Sequence, residues 1–128
     1  MQAIRIKQGD SGTVDFTVLD PATGEPVDIE GATLEFFAAT PRDFSPSVSF
    51  YKFNAEGIEI TDAANGAGYI EFLASETAPV AGWAGVPLTY DLRVSMPSGD
   101  VWTVSSGSLY LAPSAANAYT SSDPFGIY

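Results

Sequence analysis

The chain has 128 residues, enough for one domain that hides roughly two-thirds of its unfolded surface. It is 45% hydrophobic and 16% charged, which excludes a disordered chain. It contains no histidine and no cysteine, so a Ser-His-Asp triad, imidazole or thiolate metal ligands, a cysteine nucleophile and disulfides are all excluded. Sixteen acidic residues against five basic ones give a formal net charge of −11. Arg5, Lys7, Arg42, Lys52 and Arg93 are scattered singly, so there is no basic stripe for nucleic acid and no attraction to an anionic membrane. The acidity serves solubility, or else a negative face that steers a basic partner. No apolar run reaches the length of a signal peptide or a membrane helix, as expected of a protein made in the cytosol and delivered elsewhere by assembly.

In chain order the dominant period is two. Ile4 and Ile6 alternate with Arg5 and Lys7; Val14, Phe16 and Val18 alternate with Thr13, Asp15 and Thr17. The stretch 20–26, DPATGEP, turns the chain, and Leu34, Phe36 and Ala38 make the next stripe. After the proline-rich break PRDFSPS at 41–47, Val48, Phe50 and Lys52 alternate with Ser49, Tyr51 and Phe53, which leaves the inward face undecided. GIEIT at 57–61 predicts a short strand ended by the Asn65-Gly66 turn, and Ile70, Phe72 and Ala74 face opposite Tyr69, Glu71 and Leu73. Pro79, Gly82, Gly85 and Pro87 reduce 75–87 to loop or a single irregular helical turn. Leu88, Tyr90, Leu92 and Val94 form the cleanest stripe, and MPSGD at 96–100 predicts a hairpin onto Val101–Ala112. Within that last strand Gly107 predicts a bulge, because the apolar register changes between Val104 and Leu109.

The pattern amounts to about seven to nine short strands at spacings of about 10 residues, without a credible long helix. It predicts an all-β domain, most simply an immunoglobulin-like antiparallel sandwich over 1–112, followed by an irregular C-terminal tail or arm over 113–128. A jelly roll or small barrel is the alternative. The expected core contains Val14, Phe16, Val18, Leu34, Phe36, Phe72, Tyr90, Leu92 and Trp102, with about 3–5 kcal/mol riding on Phe16.

Chemistry is sparse. Glu35, Glu71, Asp15 and Asp91 fall on polar alternation positions, where a solvated face puts carboxylates, so an acid-pair hydrolase has little support. DAANGAG has the wrong spacing for a calcium loop, and Asp20, Asp28, Glu30 and Asp62 read as turn-forming side chains. No phosphate-cradling glycine motif is present. The expectation is a non-enzymatic protein without metal or cofactor. Two aromatics stand outside the stripes: Trp83 in AGWAG and Phe44 in PRDFSPS, each either a plug at the sandwich end or an exposed anchor. The tail carries Tyr119, Phe125, Ile127 and Tyr128, apolar weight suited to an arm on a neighbouring subunit or to a cover for the domain's own edge. These six residues are the candidate interface.

The segment IKQGDSGTVDFTVLDPATGEPVDIEGATLEFF, with Gly9-Asp10, Gly24 and Pro26-Val27-Asp28-Ile29-Glu30-Gly31-Ala32, resembles the opening of a tailed-phage virion domain, the N-terminal domain of the baseplate upper protein family. Gly57–Thr61, Gly66, Tyr90-Asp91-Leu92, Gly99 and Gly107 continue the likeness over roughly residues 4–112. The resemblance implies a virion structural protein whose partners are other virion proteins of a tail, baseplate, neck or capsid, with contacts between copies of the chain compatible with such an assembly. The loop before Tyr90 is longer than that family's, and the family's long C-terminal trimerising regions have no counterpart, so a small stand-alone component is expected. Capsid decoration, or a fibre-like module touching host glycans, is the alternative.

Overall fold

The computed structural model describes residues 3–44, 47–77 and 85–113. Among these described residues there are eight strands: β1 (Ile4–Lys7), β2 (Gly12–Thr17), β3 (Thr33–Ala39), β4 (Ser49–Asn54), β5 (Gly57–Asp62), β6 (Ala67–Phe72), β7 (Val86–Ser95) and β8 (Val101–Ala112). Between β6 and β7 lies a single helical turn, α1 (Ala74–Thr77). The strands join in the order β1-β8-β7-β3-β4-β5-β6-β2, one mixed sheet nearly closed into a barrel-like sandwich. Among the described residues, no helix is long and apolar enough to cross a membrane.

The expectation of a wholly antiparallel sandwich is corrected at two pairs. β1 runs parallel to β8, with Ile4 opposite Leu109 and Lys7 opposite Ala112. Nearly the whole domain separates these strands in sequence, so no hairpin dictates their direction. β4 and β5 are also parallel although only Ala55 and Glu56 separate them. Ala55 adopts a left-handed φ of 66° and Gly57 a φ of 103°, while Phe53 and Glu56 exchange backbone hydrogen bonds at 3.2 and 2.8 Å. The chain thus sidesteps at a corner and continues in the same direction, passing from one half of the sandwich to the other.

Alternation decides what is inside. Val18, Leu34, Phe36, Phe72, Tyr90 and Leu92 are buried as the stripes require, joined by Ile29, Ile58, Ile70, Val94, Leu109 and Leu111. Val14, Phe16 and Trp102 only pack partly buried against that core. Among the described residues β2 is an edge strand without a neighbour on its outer side, so Val14 and Phe16 lack the cover that central strands enjoy. The bulge in β8 occurs three residues before Gly107: Leu92 pairs with Ser105 and Arg93 with Thr103, which leaves Val104 as the extra residue. Gly107 itself pairs regularly with Tyr90. The inserted residue shifts the inward set from Trp102 and Val104 to Gly107, Leu109 and Leu111, which explains the change of register.

The turns carry their own side-chain chemistry. Asp20 Oδ1 accepts from Ala22 N and Thr23 N at 2.7 and 3.2 Å, and Asp28 Oδ1 accepts from Glu30 N at 3.0 Å. Asn65 Nδ2 donates to Asp62 Oδ2 at 2.8 Å. These carboxylates therefore do local backbone and turn work. Gly66 has φ 68°, and a Cβ there would lie 2.7 Å from Val27 O and 2.8 Å from Val18 O. Gly66→Ala is expected to lower stability by at least about 2 kcal/mol, from left-handed strain together with backbone overpacking. Denaturant unfolding measures this, and a loss below ~0.5 kcal/mol would contradict the geometry.

Candidate docking face

The undecided strand resolves in an unusual direction. β4 turns Phe50 and Lys52 inward, following the buried Val48 just before it, and presents Tyr51 and Phe53 to solvent. Lys52 is 4% exposed, whereas Tyr51 and Phe53 are 54% and 40% exposed. A strand that buries a lysine and exposes two aromatics breaks the binary pattern, and such violations concentrate at functional sites.

The buried lysine is paired. Lys52 Nζ donates to Glu76 Oε1 and Oε2 at 2.8 and 2.7 Å, and lies 5.2 Å from the centroid of the Phe72 ring. Glu76 Oε1 also accepts from Leu73 N at 2.7 Å, so one carboxylate anchors both the helical turn and the lysine. The next residue, Thr77, is buried and ties this turn to the start of the domain: its Oγ1 accepts from Gly9 N at 3.0 Å and donates to Asp10 O at 2.7 Å.

Outside, the rings form a row across two strands. Phe37 on β3 is the register partner of Tyr51, their ring centroids are 5.1 Å apart, and Tyr51 and Phe53 are 5.5 Å apart. Arg93 on β7 places its guanidinium 5.8 Å from the Phe37 ring. Tyr51 donates its phenolic O–H to Glu35 Oε2 at 2.8 Å. That hydrogen bond, aided by desolvation and by the carboxylate's charge, holds the Tyr51 phenol above the ordinary tyrosine range and fixes the ring on the sheet. At one end the row borders an open groove of about 550 Å³ between Thr40, Ser49, Thr89 and Asp91. At the other it borders a hollow of about 280 Å³ reaching Leu73, which is 50% exposed.

Of the candidate residues from the sequence, Phe44 is half-buried, packs against the core, and closes a turn through Phe44 N to Pro41 O at 3.0 Å. Trp83, Tyr119, Phe125, Ile127 and Tyr128 lie outside the described residues. Glu35, Glu71, Asp15 and Asp91 are on polar alternation positions as expected, and among the described residues no three acidic side chains gather where they could hold a metal ion. The sequence reading does not single out Phe37, Tyr51, Phe53 or Leu73 as interface residues. The available clue was two-sided apolarity, Phe36-Phe37 in β3 and Phe50-Tyr51-Lys52-Phe53 in β4, where one face of each pair has to meet solvent.

No family model and no curated protein matches the sequence. Among solved structures the chain is similar to the N-terminal domain of phage TP901-1 ORF48, at 12% sequence identity and a TM-score of 0.48, over 88% of this chain and 86% of that one.

Proposed function

We propose that this chain is a non-enzymatic structural protein of a tailed-phage virion, which docks by its surface and C-terminal arm onto tail, baseplate or neck components. The observation that carries this reading is the use made of the resemblance's glycines. Gly9, Gly24, Gly31, Gly57, Gly66 and Gly99 are all at positive φ, so the likeness to the virion domain falls on positions that set the backbone path. The motif residue Ile29 is fully buried in the core, with its N–H on Ala63 O at 2.9 Å. An exposed aromatic row on a β-sheet face suits protein docking, since aromatic anchors dominate interface energetics. The absence of histidine and cysteine from the sequence supports a role without chemistry.

An antibody against the chain should decorate one discrete location on purified particles in negative stain. Label over the whole capsid surface would favour decoration instead, and particles without the protein would refute a virion role. Deleting 114–128 should leave the melting temperature of the isolated domain nearly unchanged and abolish incorporation into particles. A truncated domain that melts much lower in isolation would show the tail to be part of its own fold and remove the arm from the proposal.

A further inference from the structure

We propose that the hollow between the β4–β5 corner and Leu73 is a docking pocket for an arginine side chain that a partner protein presents between apolar residues. The inference goes beyond the virion reading and does not depend on which assembly supplies the partner.

Part of the wall is apolar and exposed. Tyr51, Phe53 and Leu73 surround the hollow, and each has two-fifths or more of its surface in solvent. Its rim is anionic: Glu56 and Glu71 are exposed and line it, and among the described residues neither forms an ion pair. Glu76 also lines it, but its charge is answered by Lys52 from below. Two uncompensated carboxylates therefore stand beside two aromatic rings, on a chain with a net charge of −11.

Charge complementarity names the occupant. The chain's own cations are largely committed: Lys52 to Glu76, Arg5 over the Tyr110 ring at 5.1 Å, and Arg93 over the Phe37 ring at 5.8 Å. The last two show arginine over aromatic rings on this same protein, one of them over a ring of the exposed row itself. A guanidinium suits such a pocket better than an ammonium does. It is more weakly hydrated, stacks on ring faces and offers a planar fork of donors to carboxylates. Apolar residues beside the arginine would cover Phe53 and Leu73 and complete the burial.

The test is a heteronuclear NMR titration of the full chain with the peptide acetyl-Leu-Arg-Leu-amide and with its neutral analogue, citrulline in place of arginine. The arginine peptide should shift the amides of Tyr51, Phe53, Gly57 and Leu73 and bind at least tenfold more tightly than the citrulline peptide. Glu56→Gln/Glu71→Gln, which alters exposed side chains only, should weaken binding at least fivefold at an unchanged melting temperature. Equal binding of the two peptides, shifts confined to another surface, or no response to the double substitution would overturn the proposal. So would a neutral disaccharide that shifts the same amides at lower concentration than the arginine peptide, which would make the row a glycan platform. Because the titration reads the isolated chain, its failure leaves the virion reading to its own antibody test.

Discussion

Phe36→Ala is expected to remove about 3–5 kcal/mol of stability, a large share of the 5–15 kcal/mol typical of a domain this size. Phe36 is fully buried at the centre of β3, where it pairs with Lys52 on one side and Leu92 on the other. Its ring meets Phe72 edge-on at 5.6 Å and stacks on Tyr90 at 5.6 Å, so truncation opens a cavity and breaks two aromatic contacts. Strands on both sides pin β3, which limits how far the gap can collapse. Phe16→Ala is expected to lose less, about 1–2 kcal/mol, because its side chain is half-buried on edge strand β2. This lowers the 3–5 kcal/mol that alternation alone assigns to it. Chemical denaturation of both variants decides the ranking, and a Phe16 loss equal to or above that of Phe36 would overturn this account of the core.

The two phenylalanines show where sequence reading succeeds and where it stops. Alternation identifies which side of a strand is inward, because side chains point to opposite faces with a period of two. It does not say whether the strand has neighbours on both sides, and that is a long-range property of strand order. Phe36 and Phe16 sit on equally clear stripes, yet only one lies at the middle of the sheet. The same limit applies to the parallel pairs. The β4–β5 corner depends on a left-handed Ala55, a conformation that no residue preference announces for alanine. The alternation does not announce Asn54 either, whose side chain completes the ladder at the start of β3, accepting from Leu34 N at 2.8 Å and donating to Ala32 O at 2.9 Å.

The candidate face was harder to read than the core for a related reason. In β4 both faces are apolar enough to be inward, and alternation leaves the choice open. What settles the choice is a partner 24 residues away, the carboxylate of Glu76. Without it an ammonium on the inward face would be prohibitively costly. With it, the aromatics are released to the surface. The exposed aromatic row and the buried ion pair are thus two consequences of one register choice.

The pair should accordingly respond asymmetrically to substitution. Glu76→Gln keeps an oxygen to accept from Leu73 N but removes the charge that faces Lys52, leaving an ammonium at 4% exposure among Phe50 and Phe72. Losing one partner of a buried pair typically removes 3–5 kcal/mol; because the Glu76 side chain is 31% exposed and water can reach part of the gap, about 2–4 kcal/mol is expected. Lys52→Met keeps an unbranched apolar stem over Gly57 and leaves behind a carboxylate that solvent can reach, so it should lose less than about 1 kcal/mol. Lys52→Met/Glu76→Gln should recover most of what Glu76→Gln alone loses, since no buried charge remains unpaired. A double-mutant cycle in denaturant measures all three terms. If Lys52→Met proves as damaging as Glu76→Gln, the charge of Lys52 is not what the pair protects. If the double variant is no more stable than Glu76→Gln alone, burial of an unpaired ammonium is not the source of the loss, and the register choice in β4 needs another cause.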